Sequence, residues 1–295
     1  MDRANKFCIA VASLFLLLAG AAGVHAVSQP ENNFHFSIIG DRTGGANPEI
    51  YDRVWREVDL LHPDFVLNVG DTIEGGSDQR AEQDWAALRA IWVRYKKYPL
   101  YFTPGNHDVF SDASRKLYEK ETGRPASYSF NYQNAHFTVL DNSGSDELPE
   151  AQVEFLRRDL EQNKERSPKF ILFHRPFWIP FVIFKNREFP LHQIAKKYGV
   201  AYVICGHMHQ FMRMEQDGVV YLVVGSSGAS MKRGLNAGQG FEQGWFYHHV
   251  QMQVKGSTVQ ATVKELDSDA VKGRVFRADD WDKVKMPASS QKAPR

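Results

Sequence analysis

Short apolar runs alternate with amphipathic stretches along most of the chain, and the runs stop at glycine or at a polar residue. Phe34 to Gly40, Phe65 to Val69, Tyr101 to Thr103, Lys169 to Phe173 and Ala201 to Ile204 read as buried strands. Between the first two, Pro48 to His62 places Ile50, Val54, Val58 and Leu61 on one helical face. Pro48 suits a first helical turn, where its missing N–H has no partner to lose, and Pro63 stops the run. Asp78 to Lys97, with Trp85, Leu88 and Trp92 on its apolar face, predicts a second helix, and Ala113 to Glu121 a charged third. Tyr128 to Tyr132 and His136 to Leu140 flank the turn residue Asn134 and predict paired strands. Pro149 opens a helix bearing Val153, Leu156 and Leu160. The end is strand-rich: Phe211 to Glu215, Gly218 to Val224, Trp245 to Val254 and Ser257 to Glu265. Alternation first and antiparallel strands later predict an α/β fold of two packed sheets with helices outside. No repeat and no Pro/Gly/Ser-rich linker interrupts residues 33–266, which read as one domain. Residues 267–295 are polar and patternless, as expected of a disordered tail.

The N-terminus departs from this pattern. Asp2, Arg3 and Lys6 precede an apolar run from Phe7 to Val24, and Val24-His25-Ala26 supplies the small residues of a cleavage site. Residues 1–26 therefore read as a signal peptide, and the protein as exported to the periplasm or beyond the cell. An uncleaved anchor is the competing reading, weakened by the Ala/Gly-rich centre of the run. With Asp2, Arg3 and Lys6 removed, the acidic and basic totals become equal and the mature chain is formally neutral. A neutral chain lacks the basic footprint of general nucleic-acid binding, so no nucleic-acid partner is expected. Cys8 leaves with the signal and Cys205 remains alone, so stability after export must come from the core, not from an intramolecular disulfide.

The candidate chemistry lies where the apolar runs end. Asp41 closes the first run, Asp71 the second, Asn106 and His107 the third and His174 the fourth, while His207 and His209 follow the fifth across the turn at Gly206. Carboxyl ends of strands are where ligands gather in layered α/β proteins. Taken alone, His207-Met208-His209 is a weak metal signal; the whole series is a strong one. Asp, Asn and His are oxygen and nitrogen donors of borderline hardness, a set that suits Mn, Fe, Zn or Ni.

Gly40-Asp41, Gly70-Asp71, Gly105-Asn106-His107-Asp108, His174 and Gly206-His207-Met208-His209, in that order, resemble the calcineurin-like metallophosphoesterases. The resemblance implies a four-layer α/β/β/α sandwich with two packed mixed β-sheets. It also implies two divalent metal ions and a phosphoester hydrolase, phosphatase or phosphodiesterase, whose metal-bound hydroxide attacks directly. By resemblance Asp71 bridges the ions, Asn106, His174 and His207 complete one, and Asp41 with His209 serve the other. His107 then meets the phosphate or protonates the leaving oxygen, and Asp108 beside it fixes the imidazole's tautomer. One block departs from the family: where it carries Asp-x-His, this chain reads Asp41-Arg42-Thr43. One site is thus a ligand short and is expected to be the weaker of the two.

Arg42 and Arg175 flank these positions and are candidates to bind phosphate oxygens, with surface ion pairs the competing reading. Cys205, inside an apolar strand, reads as packing. The glycine-rich stretch from Gly225 to Gly244 lacks the spacing of a phosphate cradle and reads as a mobile loop over the site. His248-His249 reads as a partly exposed pair. Residues 176–184 are almost wholly apolar and directly follow His174; they read as a sheet cover or as a membrane-touching lid favouring a lipid-like phosphoester. The rival to an enzyme is a non-catalytic phosphate- or glycan-binding protein on the same fold. Retention of Asp71, Asn106, His107, His174, His207 and His209 argues against it.

Overall fold

The computed structural model describes residues 31–231, 240–266 and 273–285; the expected signal segment and the last ten residues lie outside them. In chain order the strands are β1 (Asn33–Ile39), β2 (Phe65–Asn68), β3 (Leu100–Phe102), β4 (Tyr128–Tyr132), β5 (Ala135–Val139), β6 (Lys169–Leu172), β7 (Val200–Cys205), β8 (Phe211–Gln216), β9 (Val219–Val224), β10 (Tyr247–Lys255), β11 (Thr258–Leu266) and β12 (Val275–Arg277). The helices are α1 (Pro48–Leu61), α2 (Asp78–Trp92), α3 (Asp112–Thr122), α4 (Glu150–Gln162), α5 (Ile179–Ile183), α6 (Pro190–Lys197) and α7 (Trp281–Val284). They form two six-stranded sheets, ordered β12-β11-β10-β1-β2-β3 and β4-β5-β6-β7-β9-β8.

Side-chain alternation along the strands decides the layers. Phe36, Ile38, Phe65 and Leu67 of the first sheet and Phe137, Phe170, Leu172 and Ile204 of the second face one another in the central core. There Phe137 and Phe170 stack at 4.6 Å, and Phe36 meets both edge-on at 5.5 and 5.6 Å. Each such ring, taken out of water, contributes about 1.5–3 kcal/mol. The opposite faces bury Val66 and Ile39 under α1, α2 and α3, and Ile171, Val203 and Cys205 under α4, α5 and α6. The result is the expected α/β/β/α sandwich. Asn47 caps α1 by accepting from the Glu49 and Ile50 amides, and His62 ends it in a left-handed turn.

The antiparallel strands expected at the end are divided between the sheets: β8 and β9 pair antiparallel in the second, where β9 also runs parallel to β7, whereas β10 crosses to pair antiparallel with β1 and β11. Two expectations change. The stretch from 267 is not patternless throughout, because residues 273–285 form β12 and α7 and send Phe276 and Trp281 into the central core. Two aromatic anchors outweigh the polar residues around them. His248 and His249 are buried within β10, not partly exposed.

Candidate metal centre

β1, β2 and β3 run parallel in one sheet, as do β6 and β7 in the other. Asp41, Asp71, Asn106, His107, His174, His207 and His209 all follow the C-terminal ends of these five strands. Close approach there requires unusual backbone. Asp71, His207 and His209 have φ of 51°, 71° and 46°, in the left-handed region that non-glycine residues rarely adopt and that clusters at functional sites. A Cβ on Gly70 would stand 2.5 Å from His174 Nδ1, and one on Gly105 would stand 2.1 Å from the Asp71 amide. The glycines that precede Asp71 and Asn106 are therefore demanded by packing.

Asp71, His174 and His207 each offer a ligand atom, and these lie within 4.8 Å of one another. His174 Nε2 is 3.1 Å from Asp71 Oδ2 and 3.2 Å from Asn106 Oδ1. Its Nδ1 donates to the Val69 carbonyl at 2.9 Å, which leaves Nε2 as the atom turned toward the site. His209 Nδ1 donates to the Ser230 carbonyl at 2.8 Å and His107 Nδ1 to the Glu74 carbonyl at 2.7 Å. Backbone carbonyls thus orient three of the four imidazoles.

Asp41 is fully buried and neither of its carboxylate oxygens has a hydrogen-bond partner. Burial, with the nearby Asp71 charge adding to it, pushes its carboxyl well above the ordinary range. A buried carboxylate without donors costs several kcal/mol, roughly, unless a cation faces it. The charge of His174, whose Nδ1 lies 3.6 Å from Asp41 Oδ1, offsets that cost only in part, since the carboxyl stays raised. That orphaned group, beside a cluster of oxygen and nitrogen donors, fits a metal centre. Burial would raise Asp71 too, but the charge and hydrogen bond of His174 hold it below the usual carboxylate range. Burial, reinforced by the charge of His174, pushes His207 down to about 4, and burial lowers His209. Both are then neutral and able to bind metal at neutral pH.

His174 behaves oppositely, and its behaviour is testable. Burial alone would lower it, but the charge and hydrogen bond of Asp71, with Asp41 behind, raise it to about 9. A group raised above its unfolded value of roughly 6.5 stabilises the fold fully below that pH, and the contribution is lost as pH rises through the folded value. Metal-stripped protein should therefore lose thermal stability between about pH 6.5 and 9, more steeply than a His174→Ala variant. Calorimetry in buffers of different ionisation enthalpy should also show proton release on metal binding within that window. A melting temperature equally pH-dependent in parent and variant would show that His174 is not held as an imidazolium.

Other predicted residues take different places. Asp108 does not touch the His107 ring: the turn after Gly105 folds its carboxylate back, where it accepts from the Gly105, Thr72 and Ile73 amides at 2.9, 2.8 and 3.1 Å. It braces the loops after β2 and β3, and burial plus the charge of Asp71 raises it to about 6. Arg42 lies over the Tyr51 ring and donates to the Thr72 carbonyl. Arg175 pairs with Asp146 and donates to the Ser143 carbonyl, while its charge still reaches His207. Thr43 donates its hydroxyl to the Asp71 carbonyl at 2.9 Å, so the residue in place of the family's histidine tethers the Asp71 backbone. At its start the glycine-rich stretch is tied to the site: the amides of Ser227 and Ala229 donate to the Asp41 carbonyl, and both residues are buried. Residues 232–239 lie outside the described set. Cys205 is buried and accepts from Trp178 Nε1 at 3.2 Å, in keeping with a packing role. Trp178 is buried against β7, whereas Ile183 and Phe184 are 53% and 81% exposed; residues 176–184 cover the sheet at one end and reach solvent at the other.

Sequence reasoning missed Asn142 and Glu74. Buried Asn142 accepts from the His174 and Arg175 amides and donates to the Arg175 carbonyl, fixing the turn after β6. The Glu74 carboxylate accepts from the Gly44, Gly45 and Ala46 amides at 3.4, 3.2 and 2.8 Å. Its own carbonyl holds His107. It thus ties the loop carrying the missing-histidine position to the loop carrying the candidate acid. Neither residue has a local signal, since each acts on a loop distant in sequence. Glu74→Ala keeps the carbonyl that holds His107 and removes only the carboxylate that holds residues 44–46; it should lower kcat/KM by about 10-fold, with little change in melting temperature. Unaltered kinetics would show that loop 44–46 holds its place unaided.

The family model described as calcineurin-like phosphoesterase matches residues 34–211. Among curated proteins, the chain is 27% identical over 220 residues to the 3',5'-cyclic adenosine monophosphate phosphodiesterase CpdA of Escherichia coli, covering 70% of this chain and 76% of that protein. It is 23% identical over 248 residues to the tartrate-resistant acid phosphatase type 5 of Rattus norvegicus, covering 67% and 73%. Among solved structures, a dimetal phosphatase from Danio rerio superimposes with a TM-score of 0.56 at 13% identity, covering 83% of this chain and 98% of that one, which bears on the fold alone. With the family match running from β1 through the His207 to His209 turn, the chain belongs to the calcineurin-like phosphoesterase family and is a hydrolase of phosphoester bonds.

Proposed function

We propose that this hydrolase works at two divalent metal sites, one held by Asp71, Asn106, His174 and His207, the other by Asp41, His209 and the shared Asp71. The observation that carries the reading is the orphaned Asp41 carboxylate beside the Asp71, His174 and His207 cluster. Such ions, when bound, lower the pKa of a coordinated water and offset negative charge on phosphate oxygens. The protein's own part is orientation: carbonyls of Val69, Ser230 and Glu74 set the rings of His174, His209 and His107. With Nδ1 of His107 committed to Glu74, Nε2 is the atom left to meet a phosphate oxygen or pass a proton to the leaving oxygen. No covalent enzyme intermediate is needed, and no buried cysteine is poised to form one. The second site is the weaker, because Thr43 spends its hydroxyl on the Asp71 carbonyl.

The deciding experiment is metal analysis of purified protein together with hydrolysis of a chromogenic monoester and diester panel. Uptake of divalent metal with turnover of at least one ester class supports the reading; a protein that binds no metal, or that turns over neither class, would sink it. Two finer proposals accompany it. Export rests on the N-terminal segment, and fractionation of the producing cell tests it. Contact of residues 176–184 with a membrane surface rests on exposed Ile183 and Phe184 beside Lys185. Co-sedimentation with anionic vesicles should drop on Phe184→Ser; no binding by the parent ends that proposal.

A further inference from the structure

A cavity of about 420 Å³, a size ordinary for small-molecule sites, is lined by residues of the segments that follow the C-terminal ends of β5 and β6, the latter being the strand that leads to His174. Leu148, Val153, Phe177, Phe181, Phe189 and Leu191 form its walls, with Phe181 and Phe189 stacked at 4.9 Å. Its charged residues, Asp146, Glu147, Glu150 and Arg157, are all exposed and make the rim. A sugar or nucleobase seated inside would bury donors and acceptors against walls that offer them no side-chain partner, at a cost of about 1–3 kcal/mol for each unpaired group. A hydrocarbon would not.

The cavity is joined to the metal centre through Arg175. That residue follows His174 directly, and its guanidinium pairs with rim residue Asp146. Asn142 clamps the backbone at 174 and 175, and the Phe177 amide donates to the Arg175 carbonyl. Rim and centre are therefore held in one fixed relation. We infer that this cavity receives the hydrocarbon part of a phosphoester whose phosphate lies at the metal centre, with Arg175 spanning the two. The inference rests on the proposed function, whose substrate class it narrows to alkyl or acyl-chain phosphoesters.

The test uses metal-loaded, full-length protein and n-alkylphosphonates from butyl to decyl, which bind without being hydrolysed. Calorimetric affinity should rise about fourfold for each added methylene until the cavity is full. Leu148→Trp, which fills the mouth, should flatten the series and leave methylphosphonate binding unchanged. Phe181→Ala, which removes a wall at a half-buried position, should weaken the longer chains selectively. Thermal melting confirms that both variants fold. A flat series in the parent, or a rise that survives both substitutions, overturns the assignment, as does tighter binding of a nucleoside phosphonate than of the decyl compound. Since the series needs no turnover, it is decided separately from hydrolysis: chain-dependent binding by a protein that cleaves no ester would defeat the proposed function and leave the cavity assigned.

Discussion

Asp71→Asn is expected to reduce phosphoester hydrolysis by on the order of 10³-fold or more while leaving the fold intact. The substitution preserves shape but removes the charge that faces both proposed sites, and roughly 4 kcal/mol of lost charge stabilisation corresponds to that factor. Within the protein, one Asp71 oxygen accepts from the His107 amide at 2.9 Å and the other faces His174 Nε2 at 3.1 Å. An asparagine oxygen can keep the first contact. It cannot hold His174 as an imidazolium, so the pH-dependence of melting described above should flatten in the same variant. Metal content should fall with activity. Near-parental turnover at micromolar metal would mean that Asp71 is not shared between two ions.

His107→Ala is the second large effect, a fall of about 10² to 10⁴ in the chemical rate if the imidazole acts as a general acid. Its Nδ1 is held by the Glu74 carbonyl and it belongs to neither proposed ligand set, so metal content should stay at the parental level. The loss should shrink for esters with good leaving groups, which need little protonation. A uniform loss across leaving groups would instead assign His107 to phosphate positioning, and a loss of metal would make it a ligand.

The glycine-preceded polar ends of the apolar runs made most of the site readable in one dimension. Asp41, Asp71, Asn106, His174, His207 and His209 were expected to converge because parallel strands bring their carboxyl ends to one edge; all six follow such ends, and Asp71, His174 and His207 offer ligand atoms within 4.8 Å of one another. Roles that depend on where a short side chain turns were not readable. Asp108 was expected to orient its neighbour's ring, yet the tight turn at Gly105 aims it at three backbone amides. The missing histidine at Thr43 looked like a vacancy in a ligand list, whereas the threonine hydroxyl and the Glu74 carboxylate hold that loop by other bonds.

The sequence by itself determined the alternation of strand and helix, the two packed sheets and the polar positions at the strand ends, because period-two and period-3.6 burial and the glycine punctuation are local properties. Only the tertiary structure decided which sheet each late strand joins, that Phe276 and Trp281 anchor residues 273–285, that His248 and His249 are buried, and which carbonyls orient the imidazoles. Those outcomes are contacts between segments far apart in the chain, and their energies belong to pairs that no single window of sequence contains.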